Sequence, residues 1–115
     1  MAYLIDISPF ALSDIEQALA FRLQLSRQSA YKWYGDILSA IYSLETFPER
    51  CPFAAEDETL GIGLRQLLFG KGTSAYRILF QIQVPPKSTV PTVRVARLWQ
   101  GSRDEVKECD LEQGF

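Results

Sequence analysis

Hydrophobic and polar residues alternate over residues 3–8, YLIDIS, where Tyr3, Ile5 and Ile7 are set against Leu4, Asp6 and Ser8. That period of two predicts a short strand. Ser8-Pro9 follows as a helix cap and first-turn proline, with Ser13-x-x-Glu16 a rival capping box five residues later. A helix is predicted from one of these to about Leu25, with Ala11, Ile15, Ala18, Leu19 and Phe21 as its apolar positions. A second helix begins near Ser26 or Ser29. Its apolar residues Ala30, Trp33, Tyr34, Ile37, Leu38, Ile41, Leu44 and Phe47 recur at spacings of three and four, and Pro48 ends it. No long loop separates the two, which predicts an antiparallel helical hairpin.

The stretch PERCPFAAEDETLGIG, residues 48–63, reads as a loop on its prolines, glycines and three adjacent acids. Three strands are predicted after it, over about Leu64–Phe69, Ala75–Val84 and Thr92–Trp99, with the Pro-rich VPPKSTVP between the last two. Helices segregated from strands in this order predict an α+β fold. It has an N-terminal strand, an antiparallel helical hairpin, and then a three-stranded antiparallel sheet packed against the helices. A length of 115 residues suits one domain, 1–115, with its core over about 3–106 and an acidic tail over 104–115.

Alternation along the middle strand puts Tyr76, Ile78, Phe80 and Ile82 towards the helices and Arg77 on the opposite face. Cross-strand neighbours lie about 5 Å apart, so Arg65, Arg77 and one of Arg94 or Arg97 are expected together. On a regular strand Arg97 shares the side of Val93 and Val95, and only a bulge would turn it over. Trp33, Tyr34 and Trp99 are read as core.

Charge sharpens the picture. The chain carries −2, but residues 1–58 carry −5, residues 59–103 carry +7 with no acid at all, and residues 104–115 carry −4. The seven cations are Arg65, Lys71, Arg77, Lys87, Arg94, Arg97 and Arg103. Two readings stay open: neutralisation by the other segments within the fold, or a surface for an anionic partner.

The chain has no histidine, which excludes Ser-His-Asp and Cys-His catalysis. Cys51 and Cys109 form no C-x-x-C pair and are read as free thiols, so neither a metal site nor a cofactor is expected. The N-terminal MAYLIDISPF lacks a basic n-region, and no apolar run approaches a membrane span. A cytoplasmic protein without a membrane partner is expected.

YLIDISPFALSDIEQ, the Leu44-x-x-x-Pro48 stop, LRQLLFG, AYRILFQI and VRVARLWQGSRDEV, in this order over residues 3–106, resemble the RelE/ParE superfamily of type II toxins. The resemblance implies a helical hairpin on a small antiparallel sheet and a cognate antitoxin with an acidic segment. It implies one of two activities. RelE-like members cut mRNA in the ribosomal A site with clustered cations and a proton-transfer group. ParE-like members poison DNA gyrase by binding it. Carried over, Arg77 matches the family's Tyr-Arg position, Arg65 the Arg on the preceding strand and Arg103 the Arg near the end of the last strand. These three are the catalytic candidates of a RelE-like reading. Arg65, Lys71, Arg77, Arg97 and Arg103 are the candidates for target or antitoxin binding.

The departures favour ParE-like binding. LRQLLF lacks the cutters' lysine pair, RDEVKECDLEQGF has no Tyr or His, and the net charge is acidic. Cleavage by 2′-OH attack needs a base, cations for the phosphorane and an acid for the leaving oxygen. Arginine stays protonated and is a poor base, which leaves Asp104 or Glu105 for that role. A binding toxin needs none of this chemistry. A third reading is a non-toxic interaction module of the same fold.

Overall fold

Ser8 and Ser26 start the two long helices. The computed structural model describes residues 2–72, 75–84, 90–101 and 103–112, so Lys87 and most of the Pro-rich connection lie outside the described residues. Helix α1 spans Pro9–Leu23; the extended Ser8 accepts the Ala11 N–H on its Oγ at 3.1 Å, and Pro9 supplies a first-turn residue with no N–H to satisfy. The rival cap Ser13 lies inside the helix and takes a hydrogen bond from Gln17 Nε2. Helix α2 spans Arg27–Tyr42, capped by Ser26 Oγ on the Ser29 N–H.

The apolar period carries on to Phe47, but α2 stops at Tyr42 and tightens into a 3-10 turn over Ser43–Glu45. Phe47 precedes Pro48, which disfavours the α region at that residue, and it takes a left-handed φ of 47°. Arg50 Nη1 donates to the Thr46 and Phe47 carbonyls of the turn that follows.

The predicted 48–63 loop holds a short helix, α3, over Asp57–Leu60. Gly61 ends it at a φ of 62°, a conformation that costs glycine nothing. Asp57 Oδ1 accepts the N–H groups of Ile62 and Leu64 and folds the chain back towards the sheet.

Strands β1 (Leu4–Ile7), β2 (Arg65–Phe69), β3 (Tyr76–Gln83) and β4 (Thr92–Gln100) form one sheet in the order β1-β4-β3-β2. β2, β3 and β4 are antiparallel, as expected; β1 joins parallel to β4, so the sheet has four strands and is mixed. One face carries Ile78, Phe80, Val93, Val95 and Leu98 against Ala11, Ile15, Trp33, Ile37, Ile41 and Leu44 of the helical side. Tyr76 faces the helices and meets Trp33 with ring centroids 5.7 Å apart.

The opposite face is not bare. Leu79, Ala96 and Trp99 are buried there with Ala54, Leu64 and Val106, which makes a second, smaller core. The chain before β2 and the chain after β4 supply its roof.

Candidate functional site

The β3–β4 register decides which cations meet. Arg77 is opposite Trp99, Leu79 opposite Arg97, and then Phe80 is opposite Val95, so Ala96 is an extra residue in β4. This bulge reverses the alternation of β4. Arg97 therefore leaves the side of Val93 and Val95, against the expectation for a regular strand, and joins Arg77, Arg94 and Trp99 on the face away from the helices. The Ala96 carbonyl accepts the Ser8 hydroxyl at 2.9 Å, and the Leu98 N–H donates to Asp14 Oδ2 at 3.0 Å, so α1 holds both sides of the bulge.

Arg65 does not belong to that group, contrary to expectation. It is opposite Phe80, on the helix side of β2. Its guanidinium donates to the Cys51 carbonyl at 2.7 Å and lies 4.1 Å from the Phe53 ring centroid, clamping the chain that leads into the sheet. The bridge between Phe53 and Arg65 is the backbone side of the same clamp. The triplet Arg65, Arg77 and Arg103 is therefore not assembled on one face. Lys71 is exposed in the β2–β3 turn.

The far-face arginines are answered by carboxylates of the same chain. Arg77 donates from Nη1 (2.8 Å) and from Nη2 to Glu56 Oε2, which also accepts the Val106 N–H at 3.1 Å. Glu56 is buried, and the Arg77 Nε is buried without a hydrogen-bond partner. Arg97 makes a fork with both oxygens of Asp14, at 2.7 and 2.8 Å, and gives its Nη1 to the Asp110 carbonyl at 2.7 Å. Hydrogen bonding to Asp14 raises the Arg97 pKa above its ordinary value. Arg94 bridges Asp6 and Glu112 at 2.5 and 2.7 Å.

Between these pairs lies Trp99. Its indole N–H donates to the Asp104 carbonyl at 2.6 Å, and the guanidiniums of Arg97 and Arg103 lie 5.1 and 3.8 Å from its ring. Arg103 itself is exposed. Of the two charge readings, neutralisation within the fold describes the far face: Asp6, Asp14 and Glu56 come from the acidic first half and Glu112 from the acidic tail. The uneven charge along the sequence was the signal for these partners, but it did not say which acid meets which arginine.

A cleft of about 490 Å³ runs beside this face, between Thr59, Leu60 and Ile62 on one bank and Glu105, Val106 and Leu111 on the other. Cys51 is buried, which pushes its thiol above the usual range, and Cys109 is exposed; both are free. Among the described residues no group of three or more His, Cys, Asp or Glu could hold a metal ion, and no helix is long and apolar enough to cross a membrane.

No protein-family model and no curated protein matches the sequence. Among solved structures, the chain is similar to one from the chromosomal ParDE TA system of P. aeruginosa. The match has 14% sequence identity, covers 86% of this chain and 96% of that one, and has a TM-score of 0.66. With its helical hairpin and its mixed four-stranded sheet, the chain shares the fold of that ParDE-system structure.

Proposed function

We propose that this chain is the toxin of a type II toxin–antitoxin system, that it acts in the ParE manner by binding DNA gyrase in the cytoplasm, and that a cognate antitoxin with an acidic segment neutralises it. The observation that carries the choice of binding over cleavage is the state of the far face. Arg77, Arg94 and Arg97 are already paired with Glu56, Asp6, Glu112 and Asp14. A phosphoryl-transfer site needs cations aimed at the developing charge, and these are committed elsewhere. Tyr76, the tyrosine of the AYR motif, is on the helix side against Trp33, away from Arg77.

A protein target suits the rest of the surface. Around the turn of the helical hairpin Phe21, Leu25 and Tyr31 are 62%, 73% and 54% exposed. Large apolar side chains grouped on a surface mark protein contacts, and aromatics dominate the energy of such contacts. Lys71 and Arg103 are exposed cations, of the sign that an acidic antitoxin segment would meet.

Controlled expression in a bacterial host tests the reading. Growth should stop with filamentation and DNA damage while protein synthesis continues. Prompt translation arrest with ribosome-dependent mRNA cuts would replace it with the RelE-like activity. Unimpaired growth with retained antitoxin binding would leave a non-toxic interaction module.

A further inference from the structure

The cleft between α3 and the C-terminal segment has fixed banks. Asp57 Oδ1 holds the first bank through the Ile62 N–H at 3.0 Å, and Gln81 Nε2 donates to the Ile62 carbonyl. Glu56, just before α3, holds the second bank by accepting the Val106 N–H at 3.1 Å. Walls set before a ligand enters lower the cost of binding it. About 490 Å³ lies between them, within the range of small-molecule sites.

The lining has two chemistries. Leu60, Ile62, Val106 and Leu111 make the walls aliphatic, with no aromatic residue among the lining. Glu56, Glu105, Glu108 and Glu112 supply carboxylates, against Lys107. Two of these carboxylates already hold guanidinium groups of the same chain: Glu56 takes Arg77 at 2.8 Å and Glu112 takes Arg94 at 2.7 Å. Arg94 is shared with Asp6, and among the described residues the Glu105 and Glu108 carboxylates have neither hydrogen bond nor ion pair.

The excess charge is negative, so a phosphate or a nucleic acid has the wrong sign for this cleft. A metal ion does not suit it either, because among the described residues no group of three or more His, Cys, Asp or Glu could hold one. The carboxylates are spread along aliphatic walls. That pattern suits a cation whose own charges are spread along methylenes. The methylenes cover the walls, and the ammonium groups donate to the carboxylates.

We propose that this cleft is a binding site for a linear aliphatic polyamine, which bridges α3 and the C-terminal segment. The walls and carboxylates are the same whatever the chain's target, so the site stands apart from the toxin reading.

Isothermal titration of the full chain with spermidine, at fixed ionic strength, tests it. Three proteins are compared: wild type, Glu105→Gln/Glu108→Gln, and Thr59→Arg. Both variants change exposed side chains that make no hydrogen bond or ion pair, so both should melt within a few degrees of wild type. Wild type should show a single saturable site. Loss of the two free carboxylates should weaken binding by about tenfold. Thr59→Arg sets a cation of the chain's own on the rim and should weaken binding as well. Magnesium ion is the control for charge without methylenes, and wild type should bind it about tenfold or more weakly than spermidine. Three results would each overturn the proposal: no saturable binding to wild type, equal affinity in wild type and either variant, or magnesium bound as tightly as spermidine. The assay contains neither gyrase nor antitoxin, so its failure is distinct from failure of the toxin reading.

Discussion

Ser8 donates its hydroxyl to the carbonyl of Ala96, 2.9 Å away, and ties the first turn of α1 to the extra residue of β4. The same oxygen accepts the Ala11 N–H and caps the helix. One buried side chain therefore fixes both the start of α1 and the bulge that turns Arg97 to the far face. Ser8→Ala should cost about 2 kcal/mol, the loss of a cap together with an unsatisfied buried carbonyl. Ser13→Ala, at the rival capping position inside the helix, should stay within about 0.5 kcal/mol of wild type. Urea unfolding of the two variants checks both values, and equal losses would contradict the assigned cap.

Asp14 and Glu56 are two of the four acids that hold far-face arginines. The Arg77–Glu56 pair leaves 18% and 5% of its side chains exposed, so an unpaired charge there is poorly solvated. Glu56→Gln should cost about 3 kcal/mol, at the low end for breaking a buried pair because Arg77 partly reaches water. Glu56→Gln/Arg77→Met should recover part of the loss, and a double-mutant cycle measured by denaturant unfolding reads the coupling. Additive losses would mean that the two side chains act independently.

The thiols divide by burial. A thiol-reactive disulfide reagent should label Cys109 at once and Cys51 only when the molecule opens. Burial raises the Cys51 pKa, with the Arg50 and Arg65 charges pulling the other way. A thiol raised in the folded state contributes stability that is intact below its ordinary pKa of 9.0 and is lost as pH rises through the folded value. Wild type should therefore lose stability above pH 9 relative to Cys51→Ala, measured as the difference in unfolding free energy. A difference independent of pH would contradict the burial.

Exposed aromatics at the hairpin turn separate stability from target binding. Phe21→Glu/Tyr31→Glu should leave the melting temperature within a few degrees of wild type, because surface substitutions usually change stability by less than about 0.5 kcal/mol each. The same variant should relieve growth arrest. Arrest at wild-type strength with unchanged folding would remove the hairpin from the target interface.

Much of the fold was legible because its periods are strong. The apolar positions of α2 recur without interruption, and the Tyr76–Ile82 alternation sets the helix-facing side of β3. The site was less legible, for physical reasons. A one-residue bulge inverts every side chain beyond it, so Arg97 could not be assigned from alternation when the feature that holds the bulge, Ser8, is 88 residues away. Arg65 and Arg77 were expected to share a face because adjacent strands were known but their register was not. The three adjacent acids of Glu56–Glu58 read as loop, whereas Glu56 is buried beneath the tail and Asp57 folds the chain back. Long-range charge pairing leaves only totals in a sequence, and the totals left neutralisation and a surface for an anionic partner both open.

Purified components separate gyrase inhibition from mRNA cleavage. Gyrase-catalysed supercoiling of relaxed plasmid is followed as wild-type chain is added, with Phe21→Glu/Tyr31→Glu as the matched control. Wild type should stop supercoiling in a dose-dependent way, and the variant should do so much less. Supercoiling untouched by a folded, growth-arresting chain, with cuts appearing in ribosome-bound mRNA instead, would contradict gyrase binding.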